Sequence, residues 1–180
     1  MKIKVLSIML LVASALITKV NAQCAVTKSV LENNLISYTT DKERVYRNED
    51  LENGVQMVQI QMDANQKAPN ETQYSFNLYV FVGSSEPKMP IAPRVILLTL
   101  SNRTTLTLKA NKIKTIHKEE LTVNACTFEL SSDDVDKITS YAILNMEILD
   151  NRLGANLKFK PYDMLILEQT TCLAKAIIQK

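Results

Sequence analysis

Residues 74–82 read Tyr-Ser-Phe-Asn-Leu-Tyr-Val-Phe-Val, and this stretch decides the fold class of the chain. Every second residue from Tyr74 to Val82 is aromatic or aliphatic. An alternation of this length is typical of a β-strand that turns one face towards a core. The rest of the sequence therefore has to supply strands that pair with it.

Further strands are predicted on both sides of this stretch. Residues 55–62 alternate with a period of two, and both of their faces are partly apolar. Val95 to Leu100 is an apolar run, and the polar residues 101–103 after it indicate a hairpin turn. Alternating patterns predict strands over residues 105–110, 113–117, 121–130, 143–149 and 155–159. Residues 23–54 are compatible with either a short helix or a strand.

The hydrophobic period changes at Ser131-Ser132-Asp133-Asp134, which predicts a short helix near 131–140. Ser131 can cap its first turn, and the acidic residues favour the positive end of the helix dipole. The same acids resemble part of a calcium loop, but the glycine and the distal glutamate of such a loop are missing. Capping therefore explains them better than a metal does.

A second helix is predicted at the C-terminus, where Pro161 suits a first helical turn. The predicted buried stripe is Tyr162, Leu165, Ile166, Gln169, Cys172, Leu173, Ala176 and Ile177. The predicted polar side is Asp163, Thr170, Thr171 and Lys175. The fold class is thus α+β: a mostly antiparallel sheet with a helix near 131–140 and a C-terminal helix packed on the sheet. A β-sandwich with an appended helix is the alternative.

The N-terminus has the pattern of a secretory signal peptide over residues 1–22. Lys2 and Lys4 precede the apolar run from Val5 to Ile17, which is shorter than the about 20 residues that span a bilayer. Small side chains near Ala22 favour cleavage there, and Gln23 before Cys24 argues against a lipoprotein signal. Residues 23–180 are then expected to form a single exported domain with no membrane span.

Charge and cysteine content limit the possible partners and cofactors. Without residues 1–22 the chain keeps 18 basic and 19 acidic side chains, a balance that does not favour nucleic acid. Three cysteines, Cys24, Cys126 and Cys172, leave at least one thiol unpaired, and their spacing matches no zinc pattern. Either one disulfide or three free thiols fits the sequence, and Cys172 is the favoured participant in a disulfide.

His117 is the chain's one histidine and its best candidate for catalysis. A hydrolase could use it as a base, with a serine or with a cysteine. The sequence has no Gly-x-Ser-x-Gly motif, however, and both downstream cysteines fall on predicted buried faces. A surface histidine on an edge strand or turn is the simpler interpretation. The sequence therefore predicts no catalytic residue, no cofactor and no metal.

Part of the C-terminal half resembles a known group of proteins. The pattern comprises Phe128 to Ile138, which contains Leu-Ser-Ser-Asp-Asp-Val, then residues 141–143, 146–148, 157–159 and Cys172-Leu173. It is similar to that of small exported, mostly uncharacterised proteins of Bacteroidota, and the leader ending in Asn21-Ala22-Gln23 suits the same bacteria. The resemblance spans about residues 94–178 and implies a fold but no ligand and no catalytic residue.

The sequence favours a non-enzymatic binding or interaction module of the bacterial periplasm or cell surface. The partner would be a protein or another component of the cell envelope. Candidate contact surfaces are the proline-rich loop 84–93 and the outer sheet face near Tyr79. A small secreted hydrolase that uses His117 is the alternative.

Overall fold

A computed structural model describes residues 25–31, 34–45, 55–68, 72–85, 91–118, 121–161 and 165–178. The predicted signal peptide and residues 86–90 of the loop 84–93 lie outside these ranges. Strands in the described ranges are β1 (Val26–Val30), β2 (Ile36–Thr40), β3 (Glu43–Arg44), β4 (Val55–Gln66), β5 (Tyr74–Ser84), β6 (Val95–Leu100), β7 (Thr105–Lys109), β8 (Lys112–Lys118), β9 (Leu121–Leu130), β10 (Ile143–Asp150) and β11 (Ala155–Phe159). The helices are α1 (Ser132–Ser140) and α2 (Leu165–Ile178).

The described strands form two antiparallel sheets. The first has the order β1-β2-β4-β5-β9-β8, and the short strand β3 also pairs with β4. The second has the order β11-β10-β6-β7. The chain passes from the second sheet to the first between β7 and β8, where the amide of Asn111 donates to the carbonyl of Thr127 at 2.9 Å.

One hydrophobic core lies between these layers. Strand β4 turns Val58, Ile60, Met62 and Ala64 inwards, and all four are fully buried. Inward residues of β5 and β9 and inward residues of the second sheet belong to the same cluster. Residues that the alternating patterns turn inwards are mostly buried: Leu78, Val80, Val82, Leu106, Leu108, Cys126, Phe128, Leu130 and Leu157. Tyr74 and Phe76, on the same predicted face of β5, are half-buried and pack against the core.

The helices cover the part of the first sheet that the second sheet leaves open. Helix α2 packs against β1, β2, β4 and α1. Its predicted buried stripe is confirmed for Leu165, Ile166, Gln169, Cys172 and Leu173, which are buried. Ala176 and Ile177 are half-buried, and Tyr162 lies outside the described residues. No helix within the described ranges is long and apolar enough to cross a membrane.

Capping fixes the start of α1 as the sequence predicts. The Ser131 hydroxyl accepts a hydrogen bond from the amide of Asp134 at 3.2 Å. The Asp134 carboxylate in turn accepts from the amide of Ser131 at 2.9 Å. This reciprocal arrangement satisfies two backbone donors that would otherwise have no partner at the helix start. Asp133 binds Lys137 one turn later, so two of the acids contribute to the helix itself.

The predicted fold class is confirmed in outline, because the described chain is mostly antiparallel sheet with two helices, one of them C-terminal. The strands divide between two sheets, which brings the architecture close to the sandwich alternative. Residues 26–44, where the sequence left helix and strand open, form β1, β2 and β3. Alternation indicates which side of a strand is buried but not which strands pair, so it could not predict this division.

The prediction that Thr170 lies on the polar side of the C-terminal helix is wrong. Thr170 is only 1 % exposed. Its hydroxyl donates to the carbonyl of Ile166 at 2.8 Å and lies 3.3 Å from the sulfur of Met62. A threonine can enter a core in this way because its hydroxyl is satisfied by the preceding helical turn.

Candidate functional site

A cleft of about 190 Å³ lies between the first sheet and one end of the second. Its first wall is the inner face of β8 and β9, and its second is the turn between β10 and β11. Strand β8 contributes Ile113, Thr115 and His117, and the turn contributes Asp150, Arg152 and Leu153. The one histidine of the chain therefore lines a concave surface, although it lies on an edge strand as the simpler interpretation expects.

The His117 ring is held by the neighbouring strand. His117 in β8 pairs in register with Thr122 in β9. Its Nδ1 atom lies 3.1 Å from the Thr122 hydroxyl, an interaction in which either group can donate. Both side chains point into the cleft, and the histidine remains exposed. The ring is thus oriented through one nitrogen, and its other nitrogen can reach a ligand.

Asp150 closes the base of the cleft and is 1 % exposed. One of its carboxylate oxygens accepts from the amide of Ala92 at 2.9 Å. The other accepts from the amide of Arg152 at 3.1 Å and lies 3.2 Å from Nε of Arg94. A buried carboxylate needs such partners because its charge has lost its water. Asp150 therefore joins the segment 91–94 to the β10–β11 turn.

Asn124 holds the same segment against the first sheet. Its side-chain amide donates to the carbonyl of Ile91 at 3.2 Å, and its oxygen accepts from the Thr115 hydroxyl at 2.7 Å. Asn124 is buried, and it links β8, β9 and the chain that enters β6. The floor of the cleft is consequently a rigid network that also extends to Asp150 through residues 91–94.

Neither Cys126 nor Cys172 is suited to nucleophilic chemistry. Cys126 is a buried free thiol. Its burial raises its pKa to about 12, with a smaller opposing effect from Arg94 and a smaller reinforcing effect from Asp150. A thiol with so high a pKa holds almost no thiolate at neutral pH. Cys172 is disulfide-bonded, and its partner lies outside the described residues.

The described residues of the cleft do not assemble a catalytic triad. A catalytic triad needs a base that is oriented by an acid and contacts a nucleophile. In the described part of the chain, His117 contacts Thr122, and Asp150 is engaged by Ala92, Arg94 and Arg152 instead.

Comparison with protein-family models, with curated proteins and with solved structures finds no match. The site therefore has to be judged from its own residues.

The outer face of the first sheet carries a separate polar network around Asp63. Asp63 is 8 % exposed and accepts hydrogen bonds from the side-chain amides of Asn65 and Asn77, at 2.9 and 2.8 Å. The Tyr79 hydroxyl donates to it at 2.5 Å. Burial, reinforced by this hydrogen bond, raises the pKa of Tyr79 well above its ordinary value. Tyr79, a predicted contact residue, is thus held by Asp63 across the sheet.

A wider hollow of about 480 Å³ lies between the start of α1 and the ends of β5 and β9. Its lining includes Ser131 and Ser132 at the helix start, and Glu129 and Asp136. The hydroxyl of Ser131 is already used by the helix cap. This hollow therefore has a polar lining that belongs partly to the helix cap.

Sequence reasoning identified His117 but missed the residues that surround it. Thr122 and Asn124 fall in the predicted strand 121–130, and Asp150 and Arg152 fall between the predicted strands 143–149 and 155–159, with no indication of a site. Residues that face each other on two antiparallel strands are not neighbours in the sequence. Only the register of β8 with β9 shows that Thr122 lies opposite His117. One sequence feature could have indicated the site: Asn124 is polar but occupies the face of strand 121–130 that also carries Cys126 and is predicted to be buried.

Proposed function

We propose that this chain is an exported, non-catalytic binding module of the bacterial periplasm or cell surface, and that the His117 cleft is its ligand site. The observation that carries the proposal is that separate residues support the cleft and face its opening. Asp150 and Asn124 make structural hydrogen bonds, whereas His117 and Arg152 are exposed at its walls. A pre-formed concave site with a few fixed polar groups is typical of ligand recognition.

The hydrolase alternative has less support. Among the described residues, a threonine hydroxyl is the group within hydrogen-bond distance of the His117 ring, and the nearest buried carboxylate already binds an arginine and two amides. A general base of a triad is oriented by an acid, and no described acid contacts this ring. The same hydrogen bond serves a binding site well, because it fixes the ring orientation before the ligand arrives.

The ligand site is tested by nuclear magnetic resonance of the His117 ring, which is the only imidazole of the chain. The probes are an acidic tripeptide, its lysine counterpart and N-acetylglucosamine, which represent three ligand classes. At least one of them is expected to shift the ring signals saturably. Thr122→Val should weaken that binding by about fivefold, because it removes the hydrogen bond that orients the ring.

Thr139→Val is the matched control for this experiment. Thr139 is an exposed threonine of α1 whose hydroxyl bonds the carbonyl of Val135 at 2.8 Å, and it is not part of the cleft lining. Its replacement should leave probe binding unchanged. Chemical shifts of the ring that do not change with any of the three probes would contradict a ligand site at this cleft. Equal effects of the two valine variants on probe binding would contradict it as well.

Export is proposed on two observations. The N-terminal sequence has the positive, apolar and small-residue regions of a secretion signal. Cys172 is disulfide-bonded, and disulfides persist mainly in oxidising compartments outside the cytosol. The resemblance to exported proteins of Bacteroidota agrees with this proposal and stays a prediction.

Fractionation of an expressing bacterium tests the export proposal. The protein is expected outside the cytosol, with a mass that corresponds to cleavage after Ala22 and to one disulfide. Cys126 should react with an alkylating reagent only after unfolding, because it is buried. Leu10→Arg interrupts the apolar run and should retain the protein in the cytosol. Recovery of the unchanged chain in the cytosol with an intact Met1 would overturn the proposal.

A further inference from the structure

Strand β8 is an open edge of the first sheet. It stands at the end of the strand order and pairs with β9 alone among the described strands. Residues 112–115 and His117 are exposed, and Ile113 is 37 % exposed although it is aliphatic. An edge strand carries a row of backbone N–H and C=O groups that another strand can pair with.

The two faces of β8 differ in chemistry. Ile113, Thr115 and His117 line the cleft. Lys112 and Lys114 alternate with them and pair in register with Thr127 and Ala125, which puts these lysines on the outer face of the sheet. An added strand would therefore place alternate side chains in the cleft and the remaining ones beside the lysines.

The charge of this edge selects an acidic partner. Lys112 and Lys114 are exposed at the start of β8, and Arg152 is exposed at the opposite wall of the cleft. Asp150, the carboxylate of the cleft, is neutralised by Arg94. The acidic pair Glu119-Glu120 follows the far end of β8 in the sequence, outside the described residues. Basic residues are thus found on the outer face at Lys112 and Lys114 and in the cleft at Arg152, and Lys118 ends β8 next to the acids.

We propose that an extended acidic segment of a partner protein adds as a strand along β8, and this inference rests on the proposed ligand site. Backbone hydrogen bonds would supply affinity, and the cleft would select the alternate side chains. A glutamate or aspartate in the cleft would meet His117 and Arg152. Self-association through β8 is disfavoured, because two such edges would bring their lysines together.

Lysines on an edge strand also have a protective role, since they discourage aggregation. That role alone requires neither the exposed Ile113 nor a histidine whose ring is fixed inside a cleft. Both features lie on the cleft face of β8 and are explained by a partner strand. Protection and selective binding therefore make different predictions for an acidic peptide.

The test uses a capped synthetic peptide in which two glutamates alternate with two valines over the length of β8, so that both faces of the added strand carry acids. Binding to the purified protein is followed by fluorescence anisotropy, and amide hydrogen exchange is measured in β8. Alternate amides of β8 should gain protection. The double variant Lys112→Glu with Lys114→Glu should weaken binding by about tenfold, because attraction becomes repulsion at two positions.

Two controls make this test specific. Lys158→Glu with Lys160→Glu makes the same charge change at exposed positions in and after β11, the edge strand of the second sheet, and should leave affinity within about twofold. Two N-methylated peptides, blocked on odd or on even residues, should differ, because only one set of amides faces β8. Non-specific attraction to charge would treat both peptides alike.

The results of these measurements either support or overturn strand addition at β8. Equal losses in the two lysine pairs, equal binding of the two methylated peptides, or unprotected β8 amides would overturn strand addition. Concentration-dependent self-association through β8 would assign the edge to a second copy of the chain instead. A probe that shifts the His117 ring while the β8 amides exchange freely would leave the ligand site standing and refute this inference alone.

Discussion

Replacing Asp150 with alanine is expected to lower the free energy of unfolding by about 3 kcal/mol. The substitution removes the acceptor of the Ala92 and Arg152 amides and leaves Arg94 without its counterion. Arg94 is partly exposed, so water relieves some of this cost, and the value is set at the low end of the range for a broken buried pair. Equilibrium urea unfolding measures the change.

Asp150→Asn and Asp136→Ala are the controls for this prediction. Asparagine keeps one acceptor oxygen, which can serve one of the two amides, and it removes the ion pair, so its loss should lie between wild type and the alanine variant. Asp136 is an exposed carboxylate of α1, and its replacement should change stability by less than about 0.5 kcal/mol. A loss in Asp150→Ala no larger than that in Asp136→Ala would show that Asp150 does not organise the cleft.

Leu173→Ala is expected to cost about 3 kcal/mol of unfolding free energy. Leu173 is fully buried in the core beneath α2, where its side chain helps to attach the helix to the first sheet. Truncation removes buried apolar surface and leaves a cavity that the neighbouring residues fill only in part. Urea unfolding without reductant is the measurement, so that the disulfide at Cys172 stays intact in every variant.

Two positions on the same helix test whether this cost comes from burial. Ile177 is half-buried and should lose less than Leu173 on replacement by alanine. Lys175 is exposed, so Lys175→Ala should have almost no effect. If all three alanine variants unfolded at the same urea concentration, α2 could not be docked as described.

Much of the local structure could be predicted from periodicity and capping. The strand at residues 74–82, the hairpin after Leu100, the helix start at Ser131 and the buried stripe of α2 all follow from side chains within a few positions of one another. The prediction for Thr170 was wrong because threonine is usually exposed on the polar side of a helix, whereas this hydroxyl is satisfied inside its own helix. The acids at 133 and 134 were correctly assigned to the helix.

The candidate site was much harder to predict. His117 stood out because it is the only histidine, but its partner Thr122 depends on the register of β8 with β9. Asp150 and Ala92 are separated by 58 positions and meet through the association of the segment before β6 with the end of β10. Nothing in the local pattern of either segment indicates the other.

Sequence patterns were enough to predict which segments after residue 54 are strands and helices and, apart from Thr170, which of their faces are apolar. The sequence also determined the candidate secretion signal and the near balance of charge that remains without it. Tertiary structure alone decided that the strands form two sheets, that α2 buries Thr170, and that β8 borders a cleft with Asp150 at its base. The physical reason is the separation of the interacting residues along the chain. Helical and strand patterns arise between near neighbours, whereas strand pairing, layer packing and buried ion pairs depend on residues far apart in the sequence.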